Sequence, residues 1–292
     1  MISDSRNSSS ATAVEVIYTP HSELRHPKRF IVGMCRDLWA SRELAWLLMV
    51  RDISARYRQS VLGFAWALLP PLVMALGFTL AGKAQVINVA ATQLPYPAYV
   101  VLSMVLWLTF VEALNGPVQA VSNAKVMLSR INFPREAIIL AKLGEVFFNF
   151  AIKLVLVFAV FFWYQLPVTK AALLAPLALL SLILLGTFFG MLLAPLGVLY
   201  QDINHGLTVF TGLWLFLTPV VYPVPTTGTF ATIVWANPVT PLLATTRELA
   251  TTGVVSDPYR FLAVTLAAIV GLLVTWIAFR LAMPFVIERV SS

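Results

Sequence analysis

The chain has 292 residues, of which 59% are hydrophobic and 11% charged; soluble domains carry about 45–50% and about 25%. So few charges cannot cover a soluble globule of this size, which excludes a soluble enzyme, a disordered chain and a nucleic-acid-binding domain and leaves an integral membrane protein. The net charge of +7 does not reopen nucleic acid: nine of the twenty bases precede residue 60 and the rest lie near the ends of apolar runs, a pattern of membrane topology rather than of a phosphate-binding stripe.

In chain order, residues 1–28 are polar and serine-rich and are expected to form a cytoplasmic tail without a cleaved export signal. Residues 29–60 hold an amphipathic helix. Trp46, Val50, Ile53, Tyr57 and Val61 recur at spacings of four, three, four and four, which sets them on one face. Arg51, Asp52, Arg56 and Arg58 lie off that face, and a helix so divided suits the inner headgroup layer.

From residue 61 the expected fold is an all-α integral membrane domain of six transmembrane helices. The first runs from Gln59 to Gly82, with Pro70-Pro71 expected to kink it. The second covers about Pro97 to Ser122 and the third runs from after Pro134 to Trp163-Tyr164. The fourth is Ala171 to Tyr200, the fifth begins near His205 and breaks at Pro219, Pro223 and Pro225, and the sixth lies between Arg260 and Arg280. Between the fifth and sixth, about 219–258, the connection is too apolar for a loop in water and reads as short re-entrant helices. With both termini inside, fourteen bases fall on the inner side and four (Lys83, Lys170, Arg247, Arg260) on the outer side.

Gly77 to Ala84 has the glycine spacing and lysine of a phosphate-binding loop, but Ala84 replaces the hydroxyl that would hold magnesium and no strand precedes it. No nucleotide site is expected in this chain. One cysteine excludes an intrachain disulfide, and three histidines give no metal cluster. The third span carries Arg135, Lys142, Glu145, Asn149 and Lys153 within about 80° of arc. Charges at mid-membrane cost about 2.5–3.5 kcal/mol each, so this stripe must face protein or water. It is either a polar wall of a conduction path or a salt-bridged seam between helices. Lys142 and Glu145 are three apart and able to pair, and Glu112 of the second span is a further partner. Gly186, Gly190, Ala194 and Gly197 sit at helix-packing intervals. The aromatics Trp66, Phe78, Trp107, Phe110, Phe210, Trp214 and Tyr222 offer stacking surfaces for sugar rings or are plain packing residues.

Residues 51–71 read Arg-Asp-Ile-Ser-Ala-Arg-Tyr-Arg-Gln-Ser-Val-Leu-Gly-Phe-Ala-Trp-Ala-Leu-Leu-Pro-Pro. This run resembles the start of the membrane subunits of polysaccharide-exporting type-2 ABC transporters, the exporters of O-antigen, capsule or teichoic acid. Tyr200-Gln-Asp202-Ile with Leu217-Thr-Pro-Val-Val-Tyr222-Pro, and Asn237-Pro-Val-Thr-Pro-Leu-Leu with Arg247 and Gly253, resemble two later stretches of that family. Gln201 departs from it, since arginine is frequent there. The resemblance covers about residues 36–285.

It implies a multi-pass permease of the bacterial inner membrane with both termini cytoplasmic, working as a homodimer with two separate ATP-binding cassette subunits. ATP and magnesium would be held by those partners and by no site in this chain. The helix of Arg51, Asp52, Arg56, Tyr57 and Arg58 becomes a gate helix at the lipid headgroups. The loop Asn123 to Pro134, with Lys125, Arg130 and Arg135, becomes the coupling helix that the ATPase receives, and the re-entrant helices close the path outside. By the same resemblance the first and fifth helices line the path, which makes Trp66, Phe78, Phe210, Trp214 and Tyr222 candidate lining residues. The expected cargo is a lipid-linked polysaccharide, O-antigen first. The alternatives are capsule or teichoic acid, a small drug or lipid carried by the same architecture, and an intramembrane transferase, for which no constellation of catalytic residues appears.

Overall fold

A computed structural model describes residues 27–58, 60–84, 92, 94–130 and 133–291. The expected tail up to residue 26, the expected start of the first span at Gln59 and residues 131–132 of the coupling loop lie outside them. The described residues form helices and turns without a strand. The ten α-helices are α1 (Pro27–Arg58), α2 (Leu69–Lys83), α3 (Tyr96–Asn123), α4 (Lys125–Arg130), α5 (Glu136–Trp163), α6 (Ala175–Leu199), α7 (Asp202–Leu217), α8 (Thr229–Ala236), α9 (Val239–Ala250) and α10 (Pro258–Ser291).

Four of them are long and apolar enough to cross a bilayer: α3, α5, α10, and α6 together with the 3-10 turn Lys170–Leu174 before it. The first and fifth expected spans differ. α2 has 15 residues and α7 has 16, about 22–24 Å of helix against a core about 30 Å thick. In α2 the cause is Pro70-Pro71. These residues stand in the first turn, where a proline ring meets no preceding turn, so they open the helix instead of kinking it. The 3-10 turn Gly63–Ala67 leads into it, entered through Gly63 at φ +50°, a conformation that glycine adopts without strain. The phosphate-loop look-alike falls at the end of α2, where residues 77–83 are helical.

The centre is the α3–α6 pair, whose apolar residues Phe110, Leu114, Val118, Leu182 and Ile183 are fully enclosed. Close approach is set by glycine: a Cβ on Gly186 would come 2.8 Å from the Phe110 carbonyl oxygen, and one on Gly190 would strike that of Leu114. α5 packs on α3, and α10 packs on α6.

α1 lies along α5. Its buried residues are Met34, Ser41, Ala45 and Leu48, and Ala45 and Leu48 share an apolar cluster with Ala137, Ile138 and Ala141. The face picked out by apolar periodicity is about a third of a turn away: Trp46 and Val50 are exposed, Ile53 and Tyr57 half-buried. α1 therefore has one side for the bundle and a second apolar side left outward. At this basic end Arg280 of α10 donates to Asp37 of α1 (2.6 Å) and to Glu136 of α5 (3.4 Å). α8 and α9 are two short helices in the stretch where re-entrant helices are expected, and α9 packs on α6 and α10.

Candidate functional site

The polar stripe of α5 meets polar residues of α1 and α3. Glu145, only 3% exposed at its side chain, receives Lys142 from one turn earlier (2.7 Å) and Arg56 from the end of α1. The stem of Lys142 lies over Gly116 of α3, where a Cβ would stand 2.8 Å from its Cγ. Further along, the Tyr57 hydroxyl donates to Asn149 Oδ1 (3.3 Å), Asn149 Nδ2 donates to Glu112 Oε2 (3.3 Å), and Lys153 Nζ pairs with Glu112 Oε1 (2.5 Å). The result is two groups of contacts, one joining half-exposed Arg56 to Glu145 and Lys142, the other joining Tyr57 through Asn149 and Glu112 to Lys153, whose side chain is 2% exposed. An isolated charge in hydrocarbon is costly, and each of these has an opposite charge against it. Together the two groups tie the last turn of α1 to α5 and α3.

A cavity of about 260 Å³ opens where α1, α3, α4 and α5 converge, lined by Arg51, Asp52, Arg56, Lys142 and Glu145 together with Asn123 and Met127. Arg51 pairs with its exposed neighbour Asp52 at 2.8 Å. Arg58 is exposed on the last turn of α1. Lys125 is exposed at the start of α4, Arg130 ends that helix, and Arg135 stands at the N-cap of α5. Near the mouth the rings of Tyr57, Phe64 and Phe148 gather, with centroids 4.5–6.5 Å apart.

The candidate lining aromatics do not form one surface. Trp66 is exposed on the 3-10 turn and Phe78 is half-buried against the core. Trp214 sits among Trp107, Phe110, Phe189 and Phe210 and donates from its indole to Asn237 Oδ1 (3.2 Å). Phe210 is exposed beside it. Tyr222 donates to the Phe216 carbonyl (2.9 Å) and lies 5.6 Å from the Phe230 ring.

At the opposite end, α7 stops at Leu217, and the segment through Tyr222 leaves carbonyls without helical partners. Side chains from three other elements collect them. Asn237 Nδ2 donates to Leu217 O (3.1 Å), Tyr96 to Val221 O (2.9 Å), and Tyr99 to Tyr222 O (2.7 Å) and Pro219 O (3.3 Å). Arg247 Nη1 donates to Pro219 O (3.2 Å) and to Ser103 Oγ (3.0 Å). The sequence motif contains Asn237 and Arg247 without giving either a role, and it does not single out Tyr96 or Tyr99. Two tyrosines three apart at the mouth of a span, and an arginine in an apolar run, were the signals.

Comparison with known proteins fits this arrangement. The ABC-2 type transporter family matches residues 43–250, which takes in the second half of α1 and every element through α9. An O-antigen export system permease protein of Myxococcus xanthus is 28% identical over 200 residues, 67% of this chain and 74% of that protein. Two O-antigen export system permease proteins of Klebsiella pneumoniae are 23% identical over 215 and 216 residues, 72% of this chain and 80% of theirs. With the match covering well over half of a chain that has four bilayer-length apolar helices, the protein belongs to the ABC-2 type transporter family as a multi-pass membrane protein.

Proposed function

We propose that this chain is the channel-forming permease subunit of an ATP-driven exporter that moves a lipid-linked polysaccharide, O-antigen first, across the bacterial inner membrane. The observation that carries it is the likeness to three O-antigen export permeases over two thirds or more of the chain. In this reading two copies form the path, and two ATP-binding cassette subunits, which hold ATP and magnesium, dock on α4 at the cytoplasmic face. α2 and α7 are the first and fifth of six crossings and line the path. α1 is the gate helix, its outward Trp46 and Val50 side turned to the headgroups and exposed Arg51 and Arg58 facing anionic lipid, while Arg56, also expected there, is held by Glu145. The segment from Pro219 to Arg260 closes the path outside. Both termini are cytoplasmic.

The test is deletion of the gene with surface glycan and inner-leaflet lipid-linked glycan measured in the same cells. Export predicts loss of surface polymer and accumulation of full-length lipid-linked chains inside. Unchanged surface glycan, in cells without a redundant exporter, overturns the reading in favour of small-molecule efflux. A chain missing from both places moves the role to synthesis.

A further inference from the structure

Arg247 is buried at 7% exposure, and among the described residues no carboxylate lies within 4 Å of it. Its neighbour Glu248 is bound instead to the backbone N–H of Ser256 (2.8 Å) and to its hydroxyl (2.7 Å). A desolvated cation with no carboxylate in direct contact is expensive, and its hydrogen-bonding must be met by dipoles. Here it goes to the Pro219 carbonyl, the Ser103 hydroxyl and the face of the Tyr99 ring, whose centroid is 4.2 Å from the guanidinium carbon. Tyr99 is held flat by that guanidinium, and its hydroxyl bridges Pro219 O and Tyr222 O.

One arginine on α9 and one tyrosine on α3 thus grip both ends of the break after α7. One side of α7 is open, with Val209, Phe210, Leu213 and Phe216 exposed, while Leu207, Trp214 and Leu215 hold its other side to the core. What fixes the break then sets how the chain leaves the outer end of α7.

We propose that Arg247 is the positioning residue of the outer end: through Tyr99 and the Pro219 carbonyl it latches the break against α3 and holds the path shut at rest. The proposal rests on the reading that Pro219 to Arg260 closes the path, and it names the group that keeps it closed. Lysine cannot serve in its place, because one ammonium cannot lie flat on a ring while reaching two acceptors in different directions.

The experiment is labelling of a single cysteine by a membrane-impermeant maleimide, using the complex with its ATPase subunits in a Cys35→Ser background. Val221→Cys puts the thiol at the break, where the native side chain is 4% exposed. Leu182→Cys, fully buried in the α3–α6 contact, reports global loosening. With wild-type Arg247 both thiols are protected. Arg247→Met is expected to speed labelling at 221 by about tenfold or more, the factor that a lost charged hydrogen bond gives, and Tyr99→Phe, which removes only the bridging neutral hydroxyl, by about two- to tenfold, while 182 stays protected. Arg247→Lys falls between.

Protection at 221 in the Met and Phe variants equal to wild type overturns the latch, and so does labelling at 182 in step with 221, which would make Arg247 a residue of the general fold. If the Met variant does not assemble, the Phe and Lys variants decide. Rapid labelling at 221 with Arg247 intact overturns the closed-end reading itself. The glycan carried plays no part in any of these outcomes.

Discussion

At the scale of single residues, the Glu112–Lys153 pair distinguishes a seam from a working part. Lys153 is almost wholly enclosed, so Glu112→Gln leaves its ammonium without a counter-charge while keeping an acceptor for Asn149. Breaking one partner of a buried pair costs about 3–5 kcal/mol, whereas replacing both by neutral groups of similar size is close to neutral. The single variant is therefore expected to lower the thermal midpoint of the purified complex sharply, and Glu112→Gln with Lys153→Met to restore most of it. If the restored double variant exports glycan normally, the stripe is a seam; if it is stable but export is lost, the stripe takes part in transport. The stripe itself was legible, because helical periodicity lines up Lys142, Glu145, Asn149 and Lys153 without reference to any neighbour. Arg56 and Tyr57 as its partners were not, since they approach from about ninety residues away and no local pattern encodes such a contact.

At the scale of elements, glycines divide by what surrounds them. Gly190 faces the backbone carbonyl of Leu114, and backbone cannot move aside as a side chain can. Gly190→Ala is expected to cost about 1–3 kcal/mol of overpacking. Gly212 of α7 has nothing within 4 Å of a built Cβ, and alanine is the better helix former by about 1 kcal/mol. Gly212→Ala should therefore hold or raise the midpoint that Gly190→Ala lowers, read by the same thermal scan. A drop at position 212 as large as at 190 would mean that α7 packs tightly against another chain. The small-residue spacing of α6 gave away its role as a packing face, because close contact needs glycine wherever it occurs. The packed face of α1 was hidden for the opposite reason: Ser41 and Ala45 carry little hydrophobic signal, while the louder Trp46 and Val50 point outward.

At the scale of the whole molecule, one arginine bears on the number of crossings. Arg280, towards the end of α10, touches both Asp37 of α1 and Glu136 at the start of α5, which gathers three distant parts of the chain at one end. Between Asp37 and Glu136 only α3 is of full membrane length. In the proposed topology α2 crosses as well, because a single crossing would leave the two residues on opposite sides. Between Glu136 and Arg280 the full-length helices are α5, α6 and α10, again odd, and in the same topology α7 supplies the fourth. Its contacts agree. Near its start Asn204 donates to Ser122 at the end of α3 (3.4 Å), and beyond its end Tyr222 O accepts from Tyr99 near the beginning of α3 (2.7 Å), so α7 and the break after it together run the length of α3. In that topology fourteen bases share the Arg280 side and four lie opposite, which fits the proposed cytoplasmic placement of that end. Alkaline phosphatase, active only outside, is expected to be active when fused after Ala84 or Gly228 and inactive after Ala124 or Tyr200. Activity after Ala124 with none after Ala84 would mean that α2 returns without crossing, and would invert every later segment up to the next miscounted helix.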